Sequence, residues 1–267
     1  MSAVRLGRGI GGAVLPAYAL LVLLLLQVPV VIVMLASLTT TGYLAVPPVG
    51  VTLDWYWKVI SDASYIDALT FSLTVAVIAT LLSLTIGTAA AYALIRRKVP
   101  GSEAIATLLM APLVFPAVVV AVALLRYYSL IGLRGTLISL VAAHVLITLP
   151  YVVRSVLASI ASADAQLEEA ARTLGADAWT AFFKVTLPLI RPGLVAGGIF
   201  SFIVSFDDVP VSIFLVSVRQ TTLPVKIFTA VEHGIDPGIA AISTLLIIAT
   251  GFFLVVAERW VGFHRFA

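Results

Sequence analysis

Leu15–Leu38 reads LPAYALLVLLLLQVPVVIVMLASL, 24 consecutive residues without a charge. A hydrocarbon core of about 30 Å needs roughly 20 apolar residues of helix to cross it, so this stretch is long enough to span a bilayer. A secretory leader is the competing reading, because Arg5 and Arg8 precede the run. Its apolar part exceeds the roughly 7–15 residues of a signal h-region, and no convincing small-x-small cleavage site closes it. It reads as a retained first span.

Five further segments meet or approach the same test: Ala68–Ile95, Ala104–Leu125, Gly135–Leu157, Leu189–Val216 and Gly238–Ala257. Barrel strands alternate apolar and polar residues over about ten positions, whereas these runs are continuously apolar. The whole 267-residue chain agrees, at 61% hydrophobic and only 11% charged, with a mean hydropathy of +1.15. Soluble domains carry about 25% charge. The composition excludes disorder, and a scattered net charge of +3 excludes a phosphate-tracking nucleic-acid face. With no cysteine, disulfides, thiol nucleophiles and thiolate metal sites are excluded too. The expectation is an all-α membrane protein of six transmembrane helices.

Lys and Arg set the orientation, since they concentrate in cytoplasmic loops. With the N-terminus inside, 11 of the 16 basic residues fall on the inner side and 5 outside (Lys58, Arg126, Arg134, Arg219 and Lys226). The Arg96-Arg97-Lys98 cluster is the strongest anchor, and an even span number places both termini in the cytoplasm. Within the second span, Ala79, Ser83, Gly87 and Ala91 recur every fourth residue, which puts small side chains on one helix face and predicts a close helix–helix seam. The abundance of alanine in the chain is the competing explanation.

One segment does not read as a simple connection. Between the fourth and fifth spans, Ala158–Pro188 predicts two short helices. Ser162 or Asp164 can cap the first, Glu168 and Glu169 lie in its early turns, Arg172 in its last, and Gly175 suits the left-handed position that ends it. Asp177 can cap the second, which carries Trp179, Phe182, Phe183 and Lys184 and is expected to stop at Pro188. The aromatic residues are expected to pack this helix back on the bundle, or to lie at the inner membrane interface.

Glu169-Ala170-Ala171, then Gly175, then nine residues to Val185, then Leu187-Pro188, resembles the EAA motif of ABC importer permeases. The resemblance covers nearly the whole chain. APLVFPAVVV (Ala111–Val120), SFDDVPVSIFL (Ser205–Leu215) and TTLPVKIFTAVEHGIDPGIAAISTLL (Thr221–Leu246) look like the PotC-type permeases of spermidine/putrescine importers. One position departs from that pattern: many polyamine permeases have an acid after the second proline of the third span, and here Ala117 follows Pro116.

The resemblance implies a MetI-like permease bundle over residues 66–260. An N-terminal tail, first helix and periplasmic loop (1–65) would precede it, the coupling loop 158–188 would lie within it, and a cytoplasmic tail (261–267) would follow. It implies a multi-pass protein of the bacterial inner membrane. Its partners would be a cytoplasmic ABC ATPase dimer, a second permease (PotB-like, or a second copy of this chain) and a periplasmic solute-binding protein. In that family the EAA loop docks into a groove on the ATPase, so Glu169, Ala170, Ala171, Gly175, Val185, Leu187 and Pro188 would be the coupling residues. The chain itself has no G-x-x-x-x-G-K-[ST] phosphate loop, so ATP and Mg would be bound by the separate ATPase. The expected solute is a polyamine. The alternatives are another small solute (an amino-acid derivative, opine, metal or phosphonate) or, in a different class, a stand-alone ion-coupled carrier, for which no clear internal repeat is visible.

Asp207 and Asp208 are the informative residues inside a span. If the fifth span starts near Gly193, Asp207 lies about 21 Å along it, and a charge at that depth is by default a functional hypothesis. The pair could line the path for a cationic solute, with Phe202, Phe206 and Phe214 adding aromatic walls. Alternatively, Pro210 breaks the helix and Asp208 caps the piece beyond it, or the acids pair with Arg126, Arg134 or Arg219. His144, alone in the fourth span, reads as a neutral histidine bonded to a neighbouring helix, with a proton relay as the alternative. Pro112, Pro116 and Pro150 are expected to interrupt spans three and four, where such breaks often line a pathway. No intramembrane-enzyme signature is present: there is no G-x-S-G or H-E-x-x-H, and adjacent aspartates point about 100° apart on a helix. The chain is expected to be a transport subunit, not an enzyme.

Overall fold

A computed structural model describes residues 11–96, 99–217, 220–234 and 236–261. Arg5, Arg8, Arg97, Lys98, Arg219 and Arg265 therefore lie outside the described residues. The α-helices of the described chain are α1 Gly11–Ala36, α2 Asp54–Ser61, α3 Ala63–Arg96, α4 Ser102–Met110, α5 Ala117–Leu130, α6 Leu137–Ser162, α7 Ala165–Thr173, α8 Ala178–Ala181, α9 Leu187–Leu189, α10 Arg191–Phe206, α11 Ser212–Leu215, α12 Leu223–His233 and α13 Pro237–Val261. Three helices, α1, α3 and α6, are long and apolar enough to cross a membrane unaided, and two bent pairs raise the number to 5 if each is one span.

The described residues divide into two compact units. The first comprises the chain up to Asp62 together with Ala230–Ala257. Its α1 is exposed along most of its length, with Leu20, Leu23, Leu24, Leu25 and Leu26 each more than half accessible, as a helix facing lipid would be. The segment after α1 is tied by Thr52 N–H to the Leu38 carbonyl at 2.9 Å and by the Trp55 indole N–H to the Thr39 carbonyl at 2.9 Å.

The second unit, Ala63–Thr229, holds the bundle core. At 34 residues, α3 is about 50 Å long and reaches beyond the hydrocarbon layer. Its small-residue face is buried: Ala79, Ser83 and Ala91 are fully inaccessible, and Gly87 packs so closely that a Cβ there would meet Val152 Cγ1 at 2.8 Å. The predicted seam is thus a contact with α6. Ser83 donates to Thr148 Oγ1 at 2.7 Å, while the Thr148 hydroxyl donates to the His144 carbonyl at 2.7 Å. Positions 83 and 87 face 148 and 152, so α3 and α6 run parallel. On the other flank α10 brings Gly193 against Ser155 and Ser159, and Gly197 against Val152, which makes α10 antiparallel to α6. Two apolar clusters fill the ends of this three-helix core, one around Val75, Tyr128, Leu140, Val141 and Leu215, the other around Ala91, Val152, Val153, Val156, Ile160 and Ile190.

Two expected spans differ from their sequence reading. The third is not one continuous helix: α4, extended by a 3₁₀ turn over Ala111–Leu113, meets α5 at a bend of 100°. Pro116 stands at the N-cap of α5, where its missing N–H leaves no helical bond unmade. The fifth ends at Phe206 and resumes only as the short α11. Pro150, in contrast, interrupts nothing. It lies buried inside the continuous α6, because neighbouring helices make such prolines tolerable in a membrane bundle.

Candidate functional site

The 163–190 segment is built as its residues dictate. The Asp164 carboxylate accepts from Gln166 N–H at 2.9 Å and caps α7, so Asp164 and not Ser162 is the cap. Gly175 has φ +95° and closes α7 in the left-handed region that glycine alone adopts freely. Asp177 accepts from Thr180 N–H at 2.9 Å, and the Thr180 side-chain and backbone bonds hold its carboxyl below the usual range. Beyond α8 the chain passes through a π turn, Phe182–Thr186, into α9. The helical run Ala178–Leu189 ends one residue after Pro188, where the stop is expected, and the chain bends by 71° between Leu189 and Arg191, at Ile190.

Glu168 and Glu169 part company on α7. Glu169 is exposed, and so is Ala170. Glu168 turns inward with a side chain 12% accessible. It accepts from the Tyr92 hydroxyl at 2.5 Å and from the Thr186 hydroxyl at 2.7 Å, and Arg96 Nε lies 3.8 Å away. Burial works to raise its pKa, but the bonds from Tyr92 and Thr186 and the charges of Arg96 and Arg172 outweigh it, and the carboxyl titrates below its ordinary value. Tyr92 also receives the edge of Phe182, with ring centroids 5.0 Å apart.

Only part of the aromatic set packs on the bundle. Phe182 does so through Tyr92. Trp179 stacks on Phe183 at 6.1 Å, but the two remain 72% and 55% exposed, and Leu174 is 89% exposed. Trp179 and Phe183, four residues apart, stack on each other at the exposed face while Phe182 turns to Tyr92, so the expectation that Trp179 and Phe183 pack inward is corrected. Sequence reasoning also missed Tyr92, Arg96 and Thr186 as partners of the loop. Their signal was the i, i+4 spacing of Tyr92 and Arg96 at the basic end of α3.

At the opposite end of α10 lies a second polar cluster. Asp208 Oδ2 accepts from Val211 N–H at 3.1 Å, Ser212 N–H at 2.8 Å and the Ser212 hydroxyl at 3.0 Å. This is the capping arrangement, with Pro210 enclosed in the break. His144 is fully buried, with Nδ1 2.7 Å from Ser205 Oγ and Nε2 3.0 Å from Ser212 Oγ. The one hydroxyl proton of Ser212 is given to Asp208, so the ring must donate from Nε2–H. In the neutral ring Nδ1 then accepts from Ser205. His144 thus bonds across to neighbouring elements, as expected.

Asp207 stands apart. It is exposed, its carboxylate has no bonded partner among the described residues, and it lies where the C-terminal dipole of α10 disfavours an anion. Neither Arg126 nor Arg134 pairs with it in the described chain, and Arg219 lies outside the described residues. Phe202 and Phe206 stack in parallel on the preceding turn, 5.8 Å between centroids. Among the described residues no group of three histidine, aspartate or glutamate side chains is arranged to hold a metal ion.

Residues 83–264 match the profile of the family described as binding-protein-dependent transport system inner membrane component. The chain belongs to this family. The permease is 32% identical over 242 residues to the spermidine/putrescine transport system permease protein PotC of Haemophilus influenzae, covering 91% of this chain and 94% of that one. It is 33% identical over 210 residues to the putrescine transport system permease protein PotI of Escherichia coli K12, covering 76% and 74%. In fold it is similar to a bacterial ABC transporter involved in the import of the acidic polysaccharide alginate, with a TM-score of 0.70, 17% identity, and coverage of 93% of this chain and 94% of that one. The permease is therefore a multi-pass transport subunit of the inner membrane, not an enzyme. An ABC importer of this kind also comprises an ATPase on a separate chain, a permease partner and a solute-binding protein.

Proposed function

We propose that this permease forms half of the translocation path of a polyamine importer, with a cytoplasmic ATPase dimer engaging the 158–188 loop. The observation that carries the solute class is Asp207, an exposed, unpaired carboxylate among the described residues, beside the stacked Phe202 and Phe206. An ionisable side chain within a membrane bundle is by default a functional candidate, and an aromatic pair beside it suits an alkylammonium chain. The relatives PotC and PotI, named as permeases of a spermidine/putrescine and a putrescine transport system, point the same way. Ala117 after Pro116 favours a second reading, a different small solute on the same scaffold.

The loop reading rests on its exposed surface. Glu169 offers an acid to basic residues of an ATPase, Ala170 and Ala171 keep α7 slim enough to lie in a groove, and Gly175 sets the turn. Val185, Leu187 and Pro188 carry the chain back to the bundle. ATP and Mg belong to the partner ATPase, and closure of the ATPase dimer would draw the loops together and rock the bundle around the path. In this reading the chain has six spans with both termini cytoplasmic. Residues 1–65 supply the first helix and a periplasmic loop, 66–260 the permease domain, and 261–267 a short inner tail. A PotB-like sister subunit, or a second copy of this chain, completes the path.

The test is reconstitution of the permease with its ATPase, sister subunit and binding protein in proteoliposomes, followed by ATP-dependent uptake of labelled spermidine, putrescine and a neutral solute of similar size. Uptake of the two cations is expected. Uptake of the neutral solute alone would remove the polyamine assignment, and gradient-driven uptake by this chain without the ATPase would remove the importer mechanism.

A further inference from the structure

We propose that Glu168, and not its neighbour Glu169, is the residue that converts a displacement of the loop into a displacement of the transmembrane bundle. The inference rests on the reading of this loop as the ATPase-engaging element and assigns the force-bearing joint within it. Both Glu168 oxygens are engaged by different elements: Oε1 takes the Tyr92 hydroxyl from α3, and Oε2 takes the Thr186 hydroxyl from the far side of the loop, with Arg96 Nε 3.8 Å away. Arg96 also reaches the Ala163 carbonyl at 3.5 Å, and Phe182 closes on the Tyr92 ring. One carboxylate thereby joins α7, the π turn and the end of α3.

Bonds to an ionised acceptor are about twice as strong as neutral ones, and this group is shielded from water. Next along α3 come Ala91 and Gly87, the latter in the tight seam with α6. Motion passed to Tyr92 and Arg96 therefore reaches a rigid contact within about two helical turns. Glu169 has the opposite setting: about 100° round the helix, it is exposed and makes no described contact with the bundle. The neighbouring acids divide the work, one facing the engine and one facing the bundle. Glu168 touches neither solute nor nucleotide, so it is a positioning residue.

The distinguishing quantity is solute transported per ATP hydrolysed, measured on the complete reconstituted importer alongside co-purification of the ATPase. Glu168→Ala is expected to retain the ATPase at the wild-type ratio and to keep hydrolysing ATP. Its transport per ATP should fall by about tenfold or more, since the variant loses two hydrogen bonds to a charged group and each alone is worth about that factor. Glu168→Asp should restore part of the ratio, and Tyr92→Phe, which keeps the ring on Phe182 and removes only the hydroxyl, should give an intermediate loss. An unchanged ratio in Glu168→Ala overturns the proposal. So does equal loss of ATPase retention and uptake, which would place Glu168 in the docking surface. If the wild-type permease itself does not retain the ATPase through this loop, as judged by protection of residues 165–189 in the complex, it is the underlying reading that fails.

Discussion

Asp207 and Asp208 are adjacent in sequence and opposite in environment: Asp208 is bonded by Val211 and Ser212, while Asp207 is exposed and unbonded among the described residues. Their substitutions should therefore separate. Asp207→Asn is expected to lower uptake of a polycation with little change in thermal stability, because it removes no described contact. Asp208→Ala is expected to lower the melting temperature of the detergent-solubilised permease, since loss of a capping side chain costs about 1 kcal/mol. Equal stability loss in both variants would show that the acids act as one structural unit.

His144 extends the same argument. Its ring joins Ser205 of α10 to Ser212 of α11 across the break. Interhelical hydrogen bonds in membrane proteins contribute about 0.6–2 kcal/mol, so His144→Ala should destabilise the bundle by that order. Asp208→Ala and His144→Ala share Ser212 and should be clearly non-additive when combined. A double variant whose stability loss equals the sum of the two would argue that the chain of bonds is not a network.

The distribution of these features explains what was legible beforehand. Leu15–Leu38 announces a membrane helix because hydrophobicity is a sum over residues, and the face Ala79–Ser83–Gly87–Ala91 announces a seam because helical periodicity is local. The caps Asp164 and Asp177 and the turn at Gly175 depend on a few neighbouring residues, so they too could be read. The breaks at Pro116 and Asp208–Pro210 could not be separated from the tolerated Pro150, since the outcome depends on whether neighbouring helices supply the lost bonds. Glu168 was legible only as a helix-terminal acid. Its partners Tyr92 and Thr186 lie 76 and 18 residues away, and no local pattern joins them.

Two glycines of α10 and one of α13 give a graded test of helix packing. A Cβ on Gly193 would lie 2.5 Å from Ser159 Cβ and 2.6 Å from the Ser155 carbonyl oxygen, one on Gly197 would lie 3.1 Å from Val152 Cα, and one on Gly251 would meet nothing within 4 Å. Overpacking costs about 1–3 kcal/mol, and the backbone oxygen facing Gly193 cannot move aside as a side chain would. Gly193→Ala should be the most destabilising of the three alanine variants. Gly197→Ala should be milder, and Gly251→Ala neutral or slightly stabilising, as alanine is the better helix former. Thermal melts that rank Gly251→Ala below Gly193→Ala would contradict the packing of α10 on α6.

The exposed apolar side chains of the loop separate docking from folding. Leu174 is 89% exposed and Trp179 72% exposed, so neither buries much surface in the isolated chain. Leu174→Glu and Trp179→Ser should leave the melting temperature unchanged and reduce retention of the ATPase by about tenfold or more, if they act as interface anchors. Phe182→Ala should do the reverse, loosening the loop by removing the ring that packs on Tyr92. Retention of the ATPase at full level by both Leu174→Glu and Trp179→Ser would move the docking surface elsewhere.

The acid response of the loop follows from Glu168. Its carboxyl titrates below the ordinary value of 4.5, so the folded loop binds the ionised form more tightly than the unfolded chain does. The sign is that of a depressed acid: its contribution is fully present above about pH 4.5 and is lost as the pH falls through the lowered folded value. Hydrogen exchange of the 165–189 backbone in the solubilised permease should show constant protection from neutral pH down to that point, and a loss below it. Glu168→Gln, which has no proton to gain, should lack the acid-dependent step. Loosening of the wild-type loop centred near pH 6 would instead assign control to a different group, and persistence of the step in Glu168→Gln would show that Glu168 is not its source.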